Sequence, residues 1–358
     1  MNSCSVIYVI AALAALLQGC SMLRSAAVPA LAAIDDSRLP RAETAANIPG
    51  LGPCTDNPDR TLRLNAAHPV TVLVHGCYGS SGQFRGLAQV FAFHGQQTAC
   101  FTYDDRAALD VSAGELAASV DRLVKLLSVS GPGPVVTVIG HSQGALIARR
   151  ALTSARPVIG YDDTRLGLVT ISGPFAGIAA ADACGSPVVR ALSLGLIAPM
   201  CRLGTGDKWA DITYASDFIR NPGTLSQQVA GHLKLDTDER GSCRRLLDGR
   251  CVEDDLTFTL DEQRHPVVDR DAAATVVEVK AGHVEIVGDQ RVAPVKLIAV
   301  LQQNGIIRPT APERGAAFNR LLWDVYRDPA FATITGPLSS GLAITRGPLP
   351  FALIERSE

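Results

Sequence analysis

The chain has no charge excess of either sign: 33 Lys and Arg stand against 35 Asp and Glu, a net charge of −2. A protein that grips nucleic acid through its phosphates carries a basic stripe or patch, so this near-neutral balance sets that function aside. Long hydrophobic runs are also missing. The longest, Val6 to Leu17, is about a dozen residues, too short to span a bilayer comfortably. There is no internal repeat. What is present is a composition of 47% hydrophobic and 19% charged residues over 358 positions, enough for one sizeable core with room for an insertion.

The short N-terminal run has the length of a signal-peptide core, which predicts export. It ends in Leu17-Gln18-Gly19-Cys20, which resembles the lipobox of bacterial lipoproteins. The resemblance implies a signal peptide over residues 1–19, a lipid on Cys20 and a membrane-anchored protein of the cell envelope; a plain secretory signal is the alternative. Residues 20–53, rich in Ala and Pro, read as a tether. In an oxidising compartment the cysteines beyond the anchor favour disulfides. Proximity suggests Cys184–Cys201 and Cys243–Cys251, with Cys54–Cys100 as the long-range pair and Cys77 left over; small buried hydrophobes are the alternative reading.

From about residue 54 to 305 strand-like and helix-like segments alternate. Buried strands are expected at Pro69 to Val74, Thr98 to Tyr103, Val135 to Ile139, Leu166 to Ile171, His232 to Leu235 and Ala274 to Val279. Helices are expected at Ser112 to Leu127, Ala145 to Leu152 and Pro294 to Gln302. This alternation predicts an α/β fold with a mostly parallel sheet and helices on both faces. The pattern breaks at about 174–231, read as a cap inserted over the strand ends, with Pro187 to Met200 as an apolar segment that could serve as a lid or as cap core. Residues 306–358 form a C-terminal extension with a helix at Arg314 to Tyr326.

The chemistry centres on Gly140-His141-Ser142-Gln143-Gly144, between a buried strand and a helix. In that context a G-x-S-x-G pentapeptide places the serine on a strained turn, and the flanking glycines allow close approach of backbone. A serine needs a base, and His283, in Ala281-Gly282-His283-Val284-Glu285-Ile286 after a late strand, is the candidate among seven histidines. His75 and His141 read as packing residues, and His68, His94, His232 and His265 as surface or loop residues. The carboxylate that orients the base has a crowded field: Asp236, Asp238, Glu239, Asp254, Asp255, Asp261, Glu262 and Asp269. Asp255 is preferred because Asp255 to Gln263 resembles the acid loop of α/β-hydrolases, with Asp254 and Asp238 in reserve; Thr259 and Glu262 form a capping box just beyond. Gly241 to Val252, with its cysteine pair, then reads as an insertion ahead of the acid.

Together these motifs resemble the α/β-hydrolase superfamily over roughly Pro69 to Gln302, and bacterial lipases and esterases in particular. Gly140 to Leu146 and Ile171-Ser172-Gly173-Pro174-Phe175 carry that closer likeness. Many lipases have histidine where Phe175 stands, which leaves the substrate open. The resemblance implies an acyl-enzyme on Ser142, with backbone N–H donors for the oxyanion from Gln143 and from Cys77 in His75-Gly76-Cys77-Tyr78-Gly79. It implies an ester substrate, small or lipidic, and neither metal nor organic cofactor. An acyltransferase or thioesterase on the same residues and a non-catalytic binding module are the competing readings.

Overall fold

The computed structural model describes residues 35–129, 133–156, 163–181, 206–289 and 292–326, and the backbone of 342–344. The expected lid segment, Cys184 and Cys201, and Cys20 all lie outside the described residues.

The strands, in chain order, are β1 (Thr44–Ala46), β2 (Leu51–Gly52), β3 (Leu62–Leu64), β4 (Val70–Val74), β5 (Gln97–Phe101), β6 (Val135–His141), β7 (Arg165–Ile171), β8 (Val229–Asp238), β9 (Cys243–Leu247), β10 (Arg250–Asp254), β11 (Ala274–Lys280) and β12 (Leu342–Ile344). Eight of them form one sheet in the order β12-β11-β8-β7-β6-β4-β5-β2. The six inner strands are parallel throughout, and the two at the edges run antiparallel to their neighbours. The α-helices among the described residues are α1 (Arg85–Phe93), α2 (Leu109–Ser128), α3 (Gln143–Ala151), α4 (Lys208–Asp211), α5 (Asp217–Arg220), α6 (Leu260–Gln263), α7 (Pro266–Asp269), α8 (Val295–Gln303) and α9 (Gly315–Tyr326).

The strands are apolar on both sides because both sides are covered. Val72, Val74, Val136, Val138 and Leu168 pack with Leu116, Val120, Leu123 and Val124 of α2 and with Ile147 and Ala148 of α3. Leu73, Ile139, Val169, Leu233 and Leu235 pack on the other face with Leu87, Val90 and Phe91 of α1 and Leu297, Val300 and Leu301 of α8. The expected doubly covered α/β sheet is therefore present.

Three boundaries differ from expectation. Residues 35–53 are not all tether: β2 pairs with Phe101 and Cys100, and Ile48 and Leu51 are buried. A two-residue edge strand is too short to interrupt an Ala- and Pro-rich composition, so it leaves no periodic trace. The described part of the C-terminal extension likewise belongs to the packed body, since Phe318, Leu322 and Tyr326 of α9 bury into the α1 side and β12 extends the sheet. Finally, β8 continues three residues beyond its apolar run, through Asp236, Thr237 and Asp238. Lys234 makes this possible. Its ammonium pairs with the carboxylates of Asp236 and, at 3.0 Å, Asp269, so charged side chains are accommodated in a buried strand.

Two disulfides are formed among the described residues, Cys54–Cys100 and Cys243–Cys251. The second closes the β9–β10 hairpin, which occupies the expected insertion. Most of that hairpin is exposed, and a two-stranded hairpin without a core is marginal in water, so the cross-link supplies what packing does not. No helix among the described residues is long and apolar enough to cross a membrane.

Candidate active site

Parallel strands bring all their C-terminal ends to one edge of the sheet. That edge collects the residues after β4 (His75 to Gly79), β5 (Thr102 to Arg106), β6 (Ser142), β7 (Ser172), β8 (Glu239) and β11 (Ala281 to Gly288).

Ser142 sits at φ 56° and ψ −125°, between the last residue of β6 and the first of α3. This is a conformation that a non-glycine residue rarely adopts and that surrounding contacts must hold. Its N–H donates to the Ile171 carbonyl at 2.8 Å, so the β6–β7 ladder runs up to the serine itself. The two glycines of the motif are sterically required. A Cβ on Gly140 would fall on the Gly144 carbonyl, and one on Gly144 would fall on the carbonyl oxygens of Val74 and His75. Gly76 meets the turn from the other side: a Cβ there would stand 2.9 Å from the Ser142 Cβ. The Gln143 N–H opens α3, where backbone donors have no partner within the helix and the helix dipole favours negative charge.

The His283 ring lies 4.7 Å from that of His141, the residue before the serine, and Phe258 meets it edge-on at 4.8 Å. His283 Nδ1 is 2.8 Å from Glu239 Oε1. With a carboxylate accepting at Nδ1, the neutral ring carries its proton there, and the Nε2 lone pair is left as the base. His141 braces the same loop through Nε2, 2.9 Å from the His283 carbonyl. Burial pushes the His141 imidazole well below its ordinary range. It therefore stays neutral and donates its one proton to that carbonyl.

The carboxylate on the histidine is thus Glu239, and the preference for Asp255 is corrected. Glu239, 1% exposed, directly follows β8. Its Oε1 also accepts from Thr237 Oγ1 at 3.0 Å, and its Oε2 accepts the N–H groups of Thr257 and Phe258 at 2.6 and 2.8 Å. Asp255 instead holds the loop that carries His283. Its Oδ1 accepts from Val284 N at 3.0 Å, its Oδ2 from Glu285 N at 3.0 Å, and its carbonyl from His283 N at 2.9 Å. A side chain on Gly282 would collide with the Asp255 carboxylate. Burial pushes the Asp255 carboxyl up, while the N–H groups of Glu285 and Val284 pull it down. The reserve acids lie apart from the ring: Asp238 pairs with Arg240 and Lys280, and Asp254 accepts from Leu256 N.

The signal for Glu239 was in the sequence. The acid is expected just after the strand that precedes the histidine strand, and Glu239 occupies that position once β8 is extended through its buried ion pair. The capping box of Thr259 and Glu262 forms as expected, at α6. His232 is corrected too: it is buried within β8 against Thr170 Oγ1 at 2.8 Å, whereas His94 lies in the turn after α1 as a loop residue, though a buried one. His75 packs as expected, stacked on Tyr103 at 4.4 Å while the Tyr103 hydroxyl donates to its carbonyl at 2.8 Å.

The oxyanion-loop candidate Cys77 lies between Gly76, packed on the serine turn, and Tyr78, which has φ 55°. Tyr78 N donates to Asp105 Oδ2 at 2.6 Å. No cluster of three or more potential metal-ligating side chains occurs among the described residues.

The profile of the Alpha/beta hydrolase family matches residues 48–296. The chain belongs to that family. Solved structures similar to this α/β-hydrolase include the mature lipase BlEst2 of Bacillus licheniformis, at 18% identity and TM-score 0.46, covering 71% of this chain and 96% of that one. The monoacylglycerol lipase of Paleococcus ferrophilus aligns at 16% identity and TM-score 0.38, covering 72% and 96%. A putative thioesterase from Silicibacter aligns at 15% and 0.36, covering 70% and 81%. No curated protein sequence matches the chain.

Proposed function

We propose that this α/β-hydrolase cleaves carboxylic esters through an acyl-enzyme on Ser142, with His283 as general base and acid and Glu239 as the carboxylate that orients it. The observation that carries the reading is the 2.8 Å contact between His283 Nδ1 and a buried glutamate, on a ring packed against His141, the residue before a serine held at φ 56°. His283 Nε2 takes the Ser142 hydroxyl proton as Oγ attacks the ester carbonyl. The oxygen of the tetrahedral intermediate receives hydrogen bonds from the Gln143 and Cys77 N–H groups. The intermediate collapses as the alcohol departs with the proton from His283. Water, deprotonated by the same ring, then releases the acid and restores Ser142. Nothing in this cycle calls for a metal or organic cofactor. Transfer of the acyl group to an acceptor other than water would use the same residues.

Labelling with a fluorophosphonate tests the reading. One equivalent is expected on Ser142, none on Ser142→Ala, and hydrolysis of p-nitrophenyl esters is expected to fall by about four orders of magnitude or more in that variant. A folded wild-type protein that neither labels nor hydrolyses would favour a binding module. The reading extends to location. The two disulfides fit an oxidising compartment, and the Cys20 motif supports an envelope protein held by a lipid. Cys20→Ser is expected to leave the membrane fraction, and its retention there would remove the anchor.

A further inference from the structure

Lys208 opens α4, in the segment that lies over the strand ends between β7 and β8, yet it is 2% exposed. A lysine on a short cap helix normally reaches solvent, and burying its ammonium costs several kcal/mol of lost hydration that its partners must offset. Each partner belongs to one place. Lys208 Nζ is 3.0 Å from Cys77 Sγ and 3.2 Å from Asp105 Oδ2, and it stands 4.4 Å above the Tyr78 ring. Asp105 Oδ2 is the same oxygen that accepts the Tyr78 N–H at 2.6 Å. The contact is reinforced next door. Asp207 N donates to the Arg106 carbonyl at 2.8 Å, and Gly206, at φ +89°, passes so close to Arg106 that a Cβ would strike its carbonyl oxygen.

The backbone at Tyr78 explains why such a clamp is needed. Its φ of 55° is unfavourable for a tyrosine, and the strained residue directly follows the Cys77 amide. The Asp105 carboxylate accepts its N–H, and the Lys208 ammonium stands on its ring. Lys208 neutralises that carboxylate and also holds the neighbouring thiol. Packing alone would be served by an apolar side chain of similar volume. What an ammonium adds is simultaneous grip on a carboxylate, a sulfur and an aromatic face.

We propose that Lys208 is a positioning residue that locks the Cys77–Tyr78 oxyanion loop from the cap, so that the anion hole is complete only while residues 206–211 are seated. The inference rests on the ester-hydrolase reading of Ser142. It also makes the Cys77 thiol a contact point between cap and loop, a role separate from that of its N–H. Uniform loosening of the fold would weaken substrate and transition state alike. A misplaced anion-hole donor weakens the transition state selectively.

The test is Lys208→Met in the full chain, read in three ways. We expect kcat to fall about 30- to 100-fold with KM within about threefold of wild type. Affinity for a trifluoromethyl ketone, which forms a tetrahedral oxyanion on the serine, is expected to fall by a similar factor. The pH at which iodoacetamide alkylation of Cys77 is half-maximal is expected to rise, because a neighbouring cation favours the thiolate. A folded variant with kcat and ketone affinity within twofold of wild type overturns the proposal, as does an unmoved alkylation profile. If Lys208→Met does not fold, Asp105→Asn and Cys77→Ser decide: loss of ketone affinity in either supports the clamp, and wild-type values in both refute it. The alkylation profile needs no ester turnover. It therefore judges the clamp even if Ser142 proves unreactive, an outcome that would instead count against the function proposed above.

Discussion

The serine side and the histidine side of the site are built differently. Ser142 is positioned by backbone sterics centred on one pentapeptide: β6 runs straight into the turn, Gly140 and Gly144 each leave room that a single Cβ would fill, and Gly76, from the loop after β4, is the one distant glycine packed on it. His283 is positioned by side chains from distant parts of the chain. Glu239 holds its ring, Asp255 holds its loop, Thr257 and Phe258 hold Glu239, and His141 holds its carbonyl. A site half of the first kind is written in a contiguous motif. One of the second kind is a set of hydrogen bonds between segments that need not be close in sequence.

The β9–β10 hairpin sharpens this contrast, because it lies between the two acids. Ser242 N donates to the Glu239 carbonyl at 3.1 Å, and Asp255 N to the Ser242 carbonyl at 3.4 Å, so the neck of the hairpin joins Glu239 to Asp255. Cys243–Cys251 closes the hairpin just beyond that neck. Damage to the two halves should therefore differ in kind. Gly144→Ala, which drives a Cβ into two carbonyl oxygens, is expected to destabilise the whole domain by about 3 kcal/mol or to prevent folding. Urea unfolding measures this, and a variant as stable as wild type would contradict the steric account of the turn. Cys243→Ser with Cys251→Ser should act more locally. The cross-link spans a sequence separation of 8 residues, for which loop-closure entropy gives about 2–3 kcal/mol. Because most of the hairpin is exposed, this loss is expected mainly in faster hydrogen exchange over residues 239–256, with kcat lower by a few-fold. Equal loss of protection across the sheet would show that the hairpin is not a separate unit.

The same contrast explains what could be read from the sequence. The six inner strands of the sheet, the helices α2, α3, α8 and α9, the start of α6, the Cys243–Cys251 disulfide, the turn at Ser142 and the loop of His283 follow from local patterns: apolar runs, helical spacing, a capping box, cysteine proximity and glycine placement. The acid does not. β8 ceases to look like a strand at Asp236, because the Lys234 ammonium that makes a buried carboxylate tolerable belongs to tertiary structure. Burial still raises the Asp236 carboxyl to about 6. With the strand apparently ended at Leu235, Glu239 looked like one acid among several in a loop. Asp255 does serve the histidine, but through the backbone of the loop and not through the ring. Lys208 and Asp105 carry no motif at all. Their relation to Cys77 and Tyr78 exists only once α4 packs against the loops after β4 and β5.

The assignment of the acid is the point on which the account of the site turns, and paired variants of the two carboxylates measure it most directly. Glu239→Gln keeps the shape of the side chain but has one acceptor oxygen where Glu239 uses two. With that oxygen on the N–H groups of Thr257 and Phe258, its NH2 faces His283 Nδ1, and the ring loses both its tautomer-fixing acceptor and the charge that stabilises it. Its kcat on a p-nitrophenyl ester is expected to fall about 10³- to 10⁴-fold. Asp255→Asn keeps an oxygen for the N–H groups of Val284 and Glu285, and its kcat is expected to fall by less than about tenfold. The reverse ranking in two folded variants, with Asp255→Asn the more damaging, would contradict the triad of Ser142, His283 and Glu239.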